Sequence, residues 1–170
     1  MAAGVTTWRV RRAETSDAAP IARIQIAAWR SAYADLVPAE FLSGMDTPEH
    51  VEVWRQRVLS PEPYATFVAL DEQDVVAAYC TVGVAELMAI YVDPARQRGG
   101  AGRAVHDAGI DHLIQHGFET AGLWVFTANS GARAFYAACG WIPDGQTNDD
   151  EIAGALIPKM RYVRQLRAAL

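Results

Sequence analysis

A glycine-rich turn, residues 97–102, is the stretch of this sequence whose residue types and spacing most clearly indicate chemistry. Before it, residues 87–92 form a short apolar run that ends at Asp93-Pro94, which is typical of a buried strand. After it, helical spacing begins at Ala101. A strand that turns directly into a helix leaves backbone N–H groups unpaired at the positive end of the helix dipole. The turn is therefore a candidate anion site, and phosphate is its expected ligand.

Two common phosphate-binding patterns do not fit this turn. No Gly-Lys-Ser or Gly-Lys-Thr follows the glycines, and the dinucleotide fingerprint would need Gly or Ala where Val105 stands. The pattern that does match is Gln97-x-x-Gly100-x-Gly102 after a strand. It resembles the coenzyme A pyrophosphate loop of the Gcn5-related N-acetyltransferase (GNAT) superfamily. On this pattern alone, a tight connection without a ligand remains the alternative.

A second pattern lies downstream, Asn129-x-x-Ala132-x-x-Phe135-Tyr136-x-x-x-Gly140-Trp141. It resembles the second GNAT signature, in which an Asn follows the fifth strand and the next helix bears an aromatic-Tyr pair and ends at Gly-aromatic. One helix and one strand separate it from the glycine turn, as in that family. The resemblance extends from Trp8 to Val163, so it covers nearly the whole chain. It implies a GNAT-like, mixed and mostly antiparallel sheet of about seven strands flanked by helices.

The resemblance also implies which residues bind acetyl-CoA. Residues Ile90, Tyr91 and Val92 would contact the pantetheine arm, with backbone groups of the first and last bonded to it. Asn129 would hydrogen-bond the pantetheine, and Tyr136 would face the thioester sulfur. The pyrophosphate would be surrounded by Gln97, Arg98, Gly99, Gly100, Ala101 and Gly102. The chain departs from the family in one respect: many relatives carry Arg or Lys where Gly99 stands, and here Arg98 precedes that position.

Acetyl transfer to an amine needs a deprotonated amine and a stabilised thiolate leaving group. Glu86 begins the strand that leads into the turn, at the position where several protein-modifying relatives carry their general base. A solvated strand-end carboxylate is the alternative. Tyr136 is the expected acid, because a phenol stays neutral at rest and can protonate a thiolate; its alternative is a core tyrosine at helical spacing. His112 and His116 are four apart on one helix and could bind a metal, but a polar helix face is preferred, and no metal is expected.

The remaining pattern supplies the elements that position these residues. Alternation predicts a first strand over residues 8–12, and Ser16 or Asp17 is the expected cap of a helix with Pro20 in its first turn. Later elements are expected as follows: helices at 39–42, from Thr47, at 103–116 and from Asn129 or Ser130; strands at 64–70, 75–82, 87–92, 123–126, from Trp141 and at 156–163; and a polar loop at 144–151. Pro158 suggests an edge or a bulge.

Composition narrows the class of protein. The 170 residues, 51% hydrophobic, predict one domain, 1–170, with a sizeable core. The net charge of −5 and the lack of a basic block argue against nucleic-acid binding. Residues 1–7 lack a basic start and an apolar core, so we expect no signal peptide. No apolar run approaches the length of a membrane span, so we expect a cytoplasmic protein.

The expected function is therefore acetyl-CoA-dependent N-acetyl transfer to a primary amine of a small molecule or a peptide, by direct transfer in a ternary complex. Two alternatives remain: a non-catalytic acyl-CoA-binding module, and an O-acetyltransferase on the same fold. The acceptor pocket is expected near residues 29–33, where Trp29 or Tyr33 could stack on a substrate. A homodimer through the last strand is common in such folds, although no residue of this chain specifies one.

Overall fold

The structure of the protein, a computed structural model, describes residues 7–167. The expectation of no signal peptide was based on residues 1–7, and residues 1–6 lie outside the described range. Seven strands form one sheet in the order β1-β2-β3-β4-β5-β7-β6. The strands are β1 Arg9–Arg12, β2 Ala65–Leu70, β3 Val76–Gly83, β4 Glu86–Val92, β5 Thr120–Phe126, β6 Ile142–Ile152 and β7 Ala155–Gln165. Within the described residues only β4 and β5 pair in parallel, which confirms the mixed, mostly antiparallel sheet.

Five α-helices within residues 7–167 flank the sheet: α1 Ala18–Ala32, α2 Ala39–Ser43, α3 Pro48–Arg57, α4 Ala101–Gln115 and α5 Ser130–Ala138. Two of them begin where the sequence predicts, after Thr47 and after Asn129, and both residues act as side-chain caps. The Thr47 side chain accepts a hydrogen bond from the amide of His50, and the Asn129 side chain accepts one from Ala132. No helix within residues 7–167 is long and apolar enough to cross a membrane.

The start of α1 differs from the expected side-chain cap. Asp17 precedes the helix, but its carboxylate does not cap it. The carboxylate instead accepts two hydrogen bonds from the Arg11 guanidinium, at 2.6 and 3.0 Å, and one from the amide of Glu14 at 2.8 Å. Asp17 is buried, and its ion pair joins the beginning of α1 to strand β1.

The helices cover both faces of the sheet, and β3 shows this by alternation. Ala78, Cys80 and Val82 belong to the apolar cluster under α4, whereas Tyr79 belongs to the cluster under α1 and Trp54 of α3. His112 of α4 is 7% exposed, and its ring lies 5.5 Å from that of Phe67. The expectation that His112 belongs to a polar helix face is therefore wrong.

The polar segment predicted as a loop at 144–151 is instead part of β6, paired antiparallel with β7 from Thr147↔Met160 to Ile152↔Ala155. β6 is the last strand of the sheet, and almost all of its residues are exposed. Since neither of its faces is buried, the apolar alternation that marks a strand is absent from it. Pro158 lies on β7, which is not an edge strand of the sheet. It lies one residue beyond the end of the pairing of β7 with β5, at Phe126↔Lys159, so only β6 pairs with β7 at Pro158.

Candidate functional site

The central feature of the sheet is a cleft between the parallel strands β4 and β5. These strands share a single register pair, Glu86↔Gly122, supported by a 3.0 Å hydrogen bond from the Gly122 amide to the Ala85 carbonyl. On its other side β4 pairs with β3 as far as Val92, with an irregularity that leaves Met88 out of register. From Met88 onward β4 therefore has an edge that faces β5 without pairing with it. An edge of this kind offers unpaired N–H and C=O groups to an extended ligand.

The glycine turn lies at the open end of this cleft. Gly100 takes the left-handed conformation, φ +88°, immediately before α4, and Arg98 takes it as well, φ +64°. The amide of Arg96 donates to the Asp93 carbonyl, and that of Ala104 donates to the Gly100 carbonyl at 3.0 Å. Within the described residues, no amide between these two donates to a backbone carbonyl. The intervening amides are free for an anion at the positive end of a fifteen-residue helix.

Gly102 has a different role from Gly100, because it allows a close approach of three elements. A Cβ at this position would lie 3.0 Å from Cγ2 of Val92 and 3.6 Å from Cε2 of Phe135. The first turn of α4 therefore rests directly against the end of β4 and against α5. This contact places the glycine turn beside Phe135 and its neighbour Tyr136.

One cation of this region remains available to an anionic ligand. Arg96 forms an ion pair with Asp71, and Arg103 forms one with Asp107 at 3.2 Å. Arg98 is exposed and has no acidic partner among the described residues. Gln97 is exposed beside it. The cation without an acidic partner is therefore Arg98, one position before the place where many relatives carry a basic residue.

Trp8 supports the glycine turn from the N-terminal side of the sheet. Its indole Nε1 donates to the Gly99 carbonyl at 2.6 Å, and its ring is 3.6 Å from the position that a Cβ of Gly100 would take. Trp8 and Gly99 are separated by 91 residues. No local pattern in the sequence indicates this contact.

Tyr136 is buried on α5, 7% exposed, between the rings of Phe135 and Trp141. Burial raises the pKa of Tyr136 well above that of a free phenol, so the hydroxyl stays protonated at any ordinary pH. Trp141 anchors this region, because its Nε1 donates to Nε2 of the buried His106 at 3.0 Å. The Gly-aromatic end of the second motif thus joins α5 to α4.

Aromatic residues of α1 cover the mouth of the cleft. Trp29 Nε1 donates to the Tyr91 hydroxyl at 2.9 Å, and the Trp29 ring lies 4.9 Å from Tyr33. The Asn129 amide nitrogen donates to the Tyr33 hydroxyl at 3.1 Å, while its oxygen caps α5. The Tyr33 ring lies 5.1 Å from that of Phe126. α1 is therefore tied to the ends of both diverging strands.

Glu86 lies at the closed end of the cleft, where β4 still pairs with β5. Leu87 points into the cluster under α4 and α5, so strand alternation directs the half-buried Glu86 to the opposite face. Glu86 and Tyr136 therefore approach the cleft from two sides of the sheet. The structure brings the turn, the β4 edge, Asn129 and Tyr136 around one cleft, with Glu86 at its base.

Comparison with known proteins supports one family. The profile of the acetyltransferase (GNAT) family matches residues 27–141. A Bacillus subtilis protein described as an uncharacterized N-acetyltransferase, YuaI, is 33% identical over 161 residues, which cover 89% of each chain.

Solved structures share the fold. The PaiA N-acetyltransferase of Thermoplasma acidophilum, in complex with coenzyme A, superposes with a TM-score of 0.75 at 13% identity, over 94% of this chain and 99% of that one. YncA of Salmonella typhimurium, a putative acetyltransferase with acetyl-CoA, gives a TM-score of 0.71 at 18% identity over 97% of both chains. At these identities the likeness establishes the fold.

Proposed function

The chain belongs to the acetyltransferase (GNAT) family, and we propose that it transfers the acetyl group of acetyl-CoA to a primary amine of a small molecule or a peptide. The transfer is direct, with both substrates bound. The observation that carries this proposal is the divergence of β4 from β5 beside a turn of unpaired amides at the start of α4. It places an edge for an extended amide chain next to a site for a diphosphate.

The residues of the cleft fit coenzyme A. The free amides between Arg98 and Arg103 are suited to the pyrophosphate, and the Arg98 side chain adds a charge. The backbone groups of Ile90 and Val92 on the open edge of β4 are suited to the pantetheine amides, as in strand addition. The complexes of the Thermoplasma PaiA protein with coenzyme A and of YncA with acetyl-CoA support this assignment.

Acetyl-CoA supplies the acetyl group as a thioester, and the protein supplies a base for the amine and a hydrogen-bond donor for the leaving thiolate. At neutral pH an aliphatic amine is mostly ammonium, so Glu86 would take a proton from it, directly or through a water. The amine nitrogen then bonds to the acetyl carbon as the carbon–sulfur bond breaks and the thiolate leaves. The nitrogen loses its second proton to solvent or to the departing thiolate, which gives the neutral amide and free coenzyme A. Glu86 and Tyr136 lie on opposite faces of the sheet, so the incoming amine and the departing sulfur have separate partners.

Tyr136 contributes in this proposal by hydrogen bonding. Burial raises its pKa far above that of a thiol, so complete proton transfer from the phenol to a thiolate is unfavourable. Its neutral hydroxyl can still donate a hydrogen bond to the sulfur as negative charge develops there, which is stabilisation that acts in the transition state. This refines the simple acid role inferred from the sequence.

The aromatic residues at the mouth of the cleft are the proposed acceptor surface. The ring of Trp29 lies 6.1 Å from that of Phe41 and 6.2 Å from that of Phe126. These rings are on the face of the sheet to which strand alternation directs Glu86. Phe41 is 37% exposed and Met88, at the irregularity of β4, is 51% exposed. An amine with an apolar or aromatic body would use both surfaces.

The first experiment incubates the purified chain with labelled acetyl-CoA and a panel of amines, peptides and hydroxyl compounds. Thiol release is followed spectrophotometrically, and the products are identified by mass spectrometry. We expect an acetylated amine that is stable to hydroxylamine. A hydroxylamine-labile product would indicate an ester and O-acetyl transfer, and coenzyme A binding without transfer to any acceptor would indicate a non-catalytic module.

The second experiment tests the residue roles. Tyr136→Phe should lower kcat by about 10²-fold with little change in the Kd for coenzyme A. Tyr162→Phe is the matched control, since Tyr162 is also a buried tyrosine of the same cluster. Glu86→Gln should lose rate at neutral pH and recover as rising pH deprotonates the free amine. Unchanged turnover in either site variant would remove the role assigned to that residue.

A further inference from the structure

A cluster of metal-ligating side chains lies at the far end of α4 from the glycine turn. The cluster consists of His112 in the last turn of α4, His116 directly after that helix, and Glu62, which precedes β2. Each brings one potential ligand atom within 4.8 Å of the others. α4 rises about 1.5 Å per residue, so the cluster is roughly 20 Å from the first turn of the helix. We propose that Glu62, His112 and His116 form a binding site for one divalent transition-metal ion of the zinc type.

The distances within the cluster suit one ion. Glu62 Oε2 lies 3.2 Å from His112 Nε2 and 3.0 Å from His116 Nε2. Ligands at about 2.0–2.1 Å around a tetrahedral ion are about 3.4 Å apart, so the carboxylate already has the spacing that an ion would impose. The side chains of Glu62 and His116 are 50% and 32% exposed. Their open side leaves room for a water as the fourth ligand.

The surrounding contacts hold two of the ligands ready for a metal. His116 Nδ1 lies 2.9 Å from the carbonyl oxygen of His112. A carbonyl only accepts, so Nδ1 carries a proton and Nε2 is the nitrogen that faces Glu62; an ion would take the place of the proton between Nε2 and the carboxylate. Arg12 binds the other carboxylate oxygen of Glu62. This contact leaves Oε2 of Glu62 to face the two imidazoles.

His112 is the ligand that must change its hydrogen bonding. Its Nε2 lies 2.9 Å from the Pro63 carbonyl, so this nitrogen carries a proton in the metal-free protein. To bind an ion, the imidazole takes the other tautomer, with the proton on Nδ1, and the Nε2 lone pair turns to the metal. The Pro63 carbonyl can then accept from a metal-bound water. The ring itself is held by burial against Phe67 and need not move far.

The position of the site indicates a structural role. The ion would join the end of α4 to the entry of β2, and through Arg12 to β1. None of its three ligands is assigned a role in acetyl transfer, so the inference is independent of the proposed function. Binding to the folded chain alone raises its stability by mass action.

The test uses the full chain after chelator treatment, titrated with Zn²⁺ by calorimetry and with Co²⁺ by visible absorption. We expect one ion per chain, the intense bands of four-coordinate Co²⁺, and a rise in melting temperature with Zn²⁺. His116→Ala and Glu62→Gln should each weaken Zn²⁺ binding at least tenfold and remove the Co²⁺ bands. His50→Ala and Gln115→Ala are controls that should bind as the original chain does.

Two results would overturn the proposal. One is the absence of saturable Zn²⁺ binding up to millimolar concentration. The other is His116→Ala binding Zn²⁺ as tightly as the original chain. Because His116 is partly exposed, its variant should fold, and its circular dichroism spectrum and unmetallated melting temperature check this.

Discussion

The conformation of Arg98 leads to a prediction about the glycine turn. Arg98 has φ +64°, in the left-handed region, whereas Gly99 beside it does not lie in that region. The arrangement common in relatives, glycine followed by a basic residue, would suit this backbone better. We therefore expect Arg98→Gly to raise the stability of the chain relative to Arg98→Ala. Both variants remove the charge, but only the first relieves the strained backbone.

The magnitude follows from the cost of the left-handed conformation. An L-residue there costs about 1–2 kcal/mol, and the greater freedom of glycine in the unfolded chain offsets about half of that. The expected difference between the two variants is thus about 1 kcal/mol. For a chain of this size it corresponds to about 2–4 °C in melting temperature. The Kd for coenzyme A should be weakened equally in both, by about 5-fold, since a single exposed ionic contact is lost.

A double variant, Arg98→Gly with Gly99→Arg, separates strain from charge. A Cβ at Gly99 would lie 3.4 Å from Cζ2 of Trp8 and 3.6 Å from the Arg96 carbonyl oxygen, so a side chain can be accommodated. This variant should keep the gain in stability and regain the affinity for coenzyme A. Melting curves and calorimetric titrations measure both quantities. If Arg98→Ala is as stable as Arg98→Gly, the argument from backbone strain is refuted.

Three further variants test the packing. The Tyr79 hydroxyl is buried with no hydrogen-bond partner within residues 7–167, so Tyr79→Phe should raise the free energy of unfolding in urea by about 1 kcal/mol; a comparable loss would mean that the hydroxyl is bonded. Burial raises the pKa of Asp17, but the hydrogen bonds that its carboxylate accepts, above all from Arg11, lower the pKa by more than burial raises it. The pKa of Asp17 in the folded chain therefore lies below its usual value. The stability that Asp17 contributes is therefore present above about pH 4 and is lost as the pH falls through its folded pKa. Asp17→Asn should lower the free energy of unfolding by about 2 kcal/mol at pH 7, and that free energy should then depend less on pH below pH 4. An unchanged pH dependence would contradict the assignment. Gly102→Ala should destabilise the chain by about 1 kcal/mol and weaken coenzyme A binding, because the new methyl group crowds β4; Gly131→Ala, with only one atom 3.9 Å away, is the control and should be neutral.

Features set by a few neighbouring residues were predicted well from the sequence. Thr47 and Asn129 cap their helices because their side chains reach amides only three residues away. Gly100 permits the left-handed turn that exposes the amides before α4, and this also is a local effect. The element order and the two motifs therefore sufficed to predict the family and the sheet.

Features that depend on distant pairing were predicted poorly or were missed. β6 was taken for a loop because an exposed edge strand has no buried face to create a pattern. The contact of Trp8 with Gly99 spans 91 residues, and the approach of Glu62 to His116 spans more than 50. The sequence predicts the local conformation of each residue in such a pair, but it does not predict that the two residues are in contact in the folded chain.

The sequence by itself thus determined the glycine turn, the helix that follows it and the family to which the chain belongs. Only the tertiary structure decided that β4 separates from β5 after one residue pair, that Glu86 and Tyr136 lie on opposite faces of the resulting cleft, and that Arg98 supplies the free charge. The physical reason is range: backbone conformation and capping depend on atoms within a turn of the chain, whereas strand separation and side-chain convergence depend on how the whole sheet closes around its core.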